Sequence, residues 1–164
     1  MCDFDTAQPY CIALQLDTVL REECVEFTYS LPSDVEMVSP FIDQLMRKIN
    51  ILRGMDGSEV DIEVALREAL LNAVVHGNKE DPGKHIHLRV RCRADGEVSM
   101  VIRDEGAGFE VDSLPDPTAP EQLMSTHGRG IYLMRALMDE VSFDEGGTVV
   151  HMRKDPSSLT CHPQ

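Results

Sequence analysis

Residues His85 to Arg93 alternate without a break. Ile86, Leu88, Val90 and Cys92 fall on one side, and His85, His87, Arg89, Arg91 and Arg93 on the other. Successive side chains of a pleated strand point to opposite faces, so this pattern marks a strand with one wet and one buried face. Ala94-Asp95-Gly96 turns the chain, and Val98, Met100 and Ile102 return as a second strand that ends at Asp104. A sheet with one apolar face needs a cover. The neighbouring segments can supply it, because they are apolar at helical spacing.

Val25 to Leu31 reads as an earlier strand, with Val25, Phe27 and Tyr29 on one face. Phe41, Ile42, Leu45, Met46, Ile49 and Leu52 then recur at helical spacing. This helix starts either at a Ser33–Glu36 capping box or at Ser39-Pro40, with Pro40 in the first helical position. Gly54 to Gly57 ends it. Ser58 is expected to cap the next helix, with Asp61 in the partner role. The apolar set of that helix is Val60, Val64, Leu66, Leu70, Ala73 and Val74, and Gly77-Asn78 stops it. Gly130 to Val141 reads as a third helix, with Ile131, Met134, Leu137 and Met138 inward. Gly146-Gly147 leads into a last strand, Thr148 to Arg153. The expected fold class is α+β: a two-layer sandwich, with a mixed, mostly antiparallel sheet and helices on one face.

A chain of 164 residues suits one such domain. Its expected limits are 25–154. Residues 1–24 form an extension that fits either a short strand or an amphipathic helix, and 155–164 form a flexible tail. The formal net charge is -14. Such a chain is repelled by phosphate backbones and anionic membranes, so neither direct nucleic-acid binding nor membrane binding is expected. The five cysteines are Cys2, Cys11, Cys24, Cys92 and Cys161. They show no CxxC pair, and with no leader or spanning stretch they point to free thiols in a cytoplasmic protein. Cys92 belongs to the buried face of its strand.

Glu68, Asn72 and His76 stand at i, i+4 and i+8, a polar stripe on an otherwise apolar helix. A solvated helix face is the plain explanation. Asn is a poor residue for mid-helix, however, because its side chain competes for backbone hydrogen bonds. Its amide oxygen suits Mg²⁺, which prefers oxygen ligands and keeps several waters. Glu68, one turn away, could take a proton from an attacking hydroxyl. His76 suits the helix C-terminus.

Asp104-Glu105-Gly106-Ala107-Gly108 follows at a strand end. It is either a plain acidic turn or a place where backbone approaches a ligand, with Asp104 accepting from an adenine amino group. His127-Gly128-Arg129-Gly130 precedes the third helix. Amides there favour an anion, and Arg129 adds a charge-assisted contact. Between them, residues 110–127 carry Pro115, Pro117 and Pro120 and little periodicity, as expected of a lid. Thr148 is either a simple strand residue or a water-bridged contact to adenine. No GxxxxGK[ST] loop occurs.

Together these motifs resemble those of the GHKL (Bergerat-type) ATPase superfamily. Its N-box looks like Glu68-x-x-x-Asn72-Ala73-x-x-His76-Gly77. Its two glycine boxes look like Asp104-x-Gly106-x-Gly108 and Gly128-Arg129-Gly130. Within it, Gly128 to Met134, Met138 to Val141 and Gly147-Thr148 are similar to the anti-sigma-factor serine/threonine kinase group (RsbW- and SpoIIAB-like). The resemblance covers roughly residues 25–154 and implies a Bergerat ATP-binding fold. It implies ATP with Mg²⁺ as cofactors, Glu68 as the catalytic residue and Asn72 as the metal ligand. Asn72, Asp104, Gly106, Gly108, Gly128, Arg129, Gly130 and Thr148 would bind the cofactor. It also implies phosphorylation of a STAS-type anti-anti-sigma protein, sequestration of a sigma factor, partner switching between the two, and a homodimer. Residues 1–24 depart from the pattern, lying upstream of the usual start. Two other functions compete: a module that binds ATP and a sigma factor or scaffold without turnover, and a histidine kinase fragment. The second needs an upstream helix pair with a phosphoacceptor His, for which residues 1–24 are too short.

Overall fold

The alternating segment becomes an interior strand of a six-stranded antiparallel sheet. The computed structural model describes residues 17–21, 24–54, 56–108 and 129–156. Its elements run β1 (Asp17–Arg21), β2 (Cys24–Pro32), α1 (Val35–Arg53), α2 (Glu59–Leu71), β3 (His85–Arg93), β4 (Val98–Arg103), α3 (Arg129–Leu137), β5 (Glu140–Asp144) and β6 (Val149–Lys154). A π-helical turn, Asn72–Gly77, continues α2. The sheet order is β1-β2-β3-β4-β6-β5. Asp17–Arg21, within the stretch read as an extension, pairs along β2 and widens the sheet.

Register aligns the apolar residues into rows across the sheet. Phe27 stands opposite Val90, Val90 opposite Met100, Met100 opposite Met152, and Met152 opposite Val141. A second row runs Tyr29, Leu88, Ile102, Val150 and Phe143. Because the side-chain period is two, a one-residue slip would turn both rows to solvent. The helices cover this face, and α2 packs against both α1 and α3. Cys92 is buried here, and burial pushes its thiol up to about 11, so it remains a protonated core residue at neutral pH.

Several local expectations are corrected. The N-cap of α1 is Asp34, whose carboxylate accepts from the Glu36 amide at 2.8 Å. Ser33 is buried, its hydroxyl has no hydrogen-bond partner among the described residues, and Pro40 lies inside the helix. Ser58 precedes α2 but makes no side-chain cap. Its hydroxyl donates to Asp56 (2.7 Å) and accepts from Arg53, while Asp61 pairs with Lys154 at 3.1 Å. On α2 the inward residue is Ile62, and Val60 is exposed, as Leu52 is on α1.

The third helix ends at Leu137 rather than running to Val141. Lys154 Nζ donates to the Leu137 carbonyl at 2.7 Å, and the Asp139 amide donates to Arg153 at 3.0 Å. These contacts pull the chain onto β6, so Val141 and Phe143 reach the core with strand period. The last strand begins at Val149, after a short 3₁₀ turn, Glu145–Gly147, in which Gly146 has φ +64°.

At the far end of α1 the Arg53 side chain is 2% exposed and ion-paired to Asp56 at 2.8 Å. It also donates to the Gly96 carbonyl in the β3–β4 turn and to the Asp155 carbonyl at 2.8 Å. A buried guanidinium is tolerated only with such a full set of acceptors. Among the described residues no helix is long and apolar enough to cross a membrane.

Candidate functional site

The helix that carries the polar stripe changes geometry partway along it. α2 is regular to Leu71 and then widens into the π-helical turn, closed by the Asn78 amide on the Ala73 carbonyl at 2.8 Å. π-helical turns are rare and cluster where helices serve a ligand. The Glu80 amide closes further back, on Val74 at 2.8 Å. Lys79 and Glu80 adopt left-handed φ of 59° and 55° to make this exit, a conformation uncommon for residues with side chains. Glu68 and Asn72 are half-buried, whereas His76, in the widened turn, is exposed.

Beside this helix lies a cavity of about 760 Å³, within the range of small-ligand sites. Glu68, Asn72, Asp104, Gly108, Arg129, Gly130 and Thr148 all line it. Three segments of the chain, read separately in the sequence, thus meet around one space. Ile102, Met134 and Val150 supply apolar wall, and His76, Lys79 and Lys84 are also at its lining. No spacing rule singled out the two lysines, since they flank the turn between α2 and β3. Gly128 and the lid segment lie outside the described residues.

Close backbone approach accounts for the glycines. A Cβ on Gly77 would collide with the Asp104 carboxylate, and one on Gly106 with the Gly77 carbonyl. Gly106 therefore packs behind Asp104 and lets the turn press against the end of the π-helical segment. Gly108 has φ +79°, and a Cβ there would strike the Gly146 carbonyl. A Cβ on Gly130 would lie 2.8 Å from Glu68 Oε2 and 3.1 Å from Asn72 Nδ2. The start of α3 consequently rests directly on the Glu68–Asn72 pair.

Asp104 is held from two sides. Its amide donates to the Thr148 carbonyl at 3.0 Å, and its Oδ1 accepts from the Gly106 amide at 2.7 Å. Burial raises its pKa above the ordinary aspartate value, against the opposing pull of the Gly106 amide and the Lys84 charge. The Thr148 hydroxyl donates to the Glu145 carbonyl at 3.1 Å, closing its own turn.

By its place after Gly77, Asn78 reads as a helix stop, yet it is fully buried and its side chain is engaged at both ends. Nδ2 donates to the His85 carbonyl at 3.0 Å, and Oδ1 accepts from the Glu105 amide at 2.8 Å.

Among the described residues no three His, Cys, Asp or Glu side chains gather into a metal cage. The donor set at Asn72 is one amide oxygen beside the Glu68 carboxylate, facing an open cavity. That fits Mg²⁺, which takes few protein ligands and completes its octahedron with water and phosphate oxygens.

The histidine kinase-like ATPase domain family matches residues 31–154. The chain is 30% identical over 124 residues to the anti-sigma F factor of Heyndrickxia coagulans, covering 71% of this chain and 78% of that protein. It is 32% identical to the anti-sigma F factor of Geobacillus thermodenitrificans, with the same coverage. It is 35% identical over 102 residues to the serine-protein kinase RsbW of Bacillus subtilis, covering 57% of this chain and 62% of that protein.

Proposed function

The chain belongs to the histidine kinase-like ATPase domain family, and from that premise we propose that it is an ATP-dependent serine/threonine protein kinase and anti-sigma factor. Its substrate is a STAS-type anti-anti-sigma protein, which competes with a sigma factor for the kinase. The relatives named anti-sigma F factor and serine-protein kinase support this reading. One observation carries the chemistry: Glu68 and Asn72 flank Gly130 at the head of α3, in the cavity that Asp104 also lines.

In this reading Asp104 accepts the adenine amino group, which favours adenine over guanine, and the apolar wall takes the faces of the ring. Asn72 holds Mg²⁺, and bound Mg²⁺ supplies charge neutralisation for the phosphates. Arg129, Gly130 and the neighbouring Gly128 receive the phosphates at the helix N-terminus, with its dipole. Glu68 orients the acceptor hydroxyl and takes its proton. Gly106 and Gly108 keep the turn close to its neighbours. Thr148 presents its backbone to Asp104 and reaches adenine through water. The protein acts in the cytoplasm as a homodimer.

The test is incubation with γ-labelled ATP and Mg²⁺ alongside a panel of STAS proteins and sigma factors from the native cell. Label on a serine or threonine of one STAS protein, with release of a bound sigma factor when unphosphorylated STAS protein is added, is the expected result. ATP binding without transfer to any of them would instead identify an ATP-binding anti-sigma or scaffold-binding module.

A further inference from the structure

We propose that Asn78 is a positioning residue for base recognition: it fixes the Asp104 turn against the end of the α2 segment, and thereby sets the preference for adenine. The inference rests on the ATP-binding reading of the cavity. It concerns a residue that does not line that cavity and that no motif required.

A helix stop needs only a backbone, and the Asn78 amide already closes the π-helical turn on Ala73. The side chain is therefore spare for another use. It is fully buried, so each end must find a partner. One end donates to the His85 carbonyl at the start of β3. The Ser33 amide donates to the Lys84 carbonyl at 3.1 Å, so the next pair, Pro32 with His85, exchanges no hydrogen bonds and the His85 carbonyl is turned away from β2. The other end accepts from the Glu105 amide, the residue directly after Asp104. Asn78 thus ties together the helix end, a sheet strand and the glycine turn.

The neighbouring contacts leave the turn one clear place to sit. Thr148, just before β6, holds the Asp104 amide, and Gly106 holds its carboxylate from within the turn. The Gly77 Cα is in close approach on the helix side. Glu105 Oε2 accepts from the His85 amide at 3.0 Å on the exposed side. Asn78 is the buried member of this set, and its side chain links the turn to the end of the helix that bears Glu68 and Asn72.

The residue type follows from the two partners. One is an acceptor and the other a donor, so the group between them must be both, as a carboxamide is. Aspartate keeps the shape and the acceptor but loses the donor, and it places a second carboxylate beside the Asp104 turn. Alanine leaves the His85 carbonyl and the Glu105 amide without partners.

The experiment measures ATP and GTP dissociation constants by calorimetry, with Mg²⁺, for the full chain and for Asn78→Ala and Asn78→Asp. Thermal unfolding is recorded for each. Expected is a loss of ATP affinity of about tenfold or more with little change for GTP, so that the ATP:GTP ratio falls by about the same factor. A ratio that stays at the wild-type value, even in a variant with a lower Tm, overturns the proposal, because a merely structural residue moves stability and not base choice. Should both variants fail to fold, amide hydrogen exchange on the unmodified, nucleotide-free chain decides. Slow exchange at Glu105 is expected, and exchange as fast as at the exposed Gly83 amide overturns it. If the unmodified chain binds neither nucleotide, the kinase reading fails. The hold of Asn78 on the Asp104 turn is then judged by whether Asn78→Ala releases the Glu105 amide to exchange.

Discussion

α1 and α2 lie side by side on the same face of the sheet, yet they are built for different ends. α1 buries Val38, Phe41, Ile42, Leu45, Met46 and Ile49 along one stripe, has an aspartate at its head, and stops at a glycine with φ +76°. Apart from Pro40, its local choices agree with one regular helix over a core. α2 buries Ile62, Ala65, Leu66, Ala69 and Leu70, but it also carries Glu68 and Asn72 into a cavity and ends in a widened turn. Its side-chain cap is missing, and two left-handed residues follow its end. At the end that faces the cavity, local regularity gives way to the widened turn, as expected of a helix that carries a site on a packed scaffold.

Substitutions in the two helices should therefore separate activity from stability. The largest effect belongs to α2: Glu68→Gln should lower phosphate transfer by about 10²–10⁴-fold. ATP binding and Tm should stay near wild type, and retained transfer in a single-turnover assay would refute Glu68 as the base. Next comes Ile49→Ala in α1, a fully buried residue. It should cost about 2–5 kcal/mol in urea unfolding, with unchanged transfer per folded molecule. A smaller loss, about 1 kcal/mol, is expected for Asp34→Ala, because it removes the α1 cap. A loss beyond about 2 kcal/mol would show that Asp34 does more than cap.

The smallest change in stability, and the one of opposite sign, should come from Asp104→Asn. Burial raises the folded pKa of Asp104, so its protonated form favours folding and this contribution is lost as pH rises through the raised pKa. The variant should thus unfold at a slightly higher temperature than wild type at neutral pH. The gap should close as pH falls below the raised pKa, while ATP binding is lost throughout. A variant less stable than wild type at neutral pH would mean that the Gly106 and Lys84 contacts outweigh burial.

The same contrast governs what could be read in advance. The β3–β4 hairpin was legible because alternation over nine residues admits one register. The apolar stripe of α1 is legible for the same kind of reason, but neither expected start, Ser33 or Ser39, is the cap; Asp34 beside Ser33 is an equally good cap former and takes the role. Glu68, Asn72, Asp104 and Gly130 could be picked out as unusual residues in otherwise regular surroundings. β5 could not, because Val141 and Phe143 lie just beyond a helix and five residues carry too little pattern to show a change of period. The π-helical turn has no residue preference that marks it. Asn78 was hidden because a residue after glycine at a helix end already has an ordinary explanation, and only its tertiary partners reveal another.

The Arg53 cluster bears on the order in which the chain can be completed. Its guanidinium needs Gly96, 43 positions on, and Asp155, 102 positions on. A chain emerging from the ribosome must carry that cation until Asp155 has been made. Contacts so far apart in sequence close late. This corner should then be sealed late, and chains cut short before Asp155 should be singled out by proteases although the described residues that line the cavity are already present.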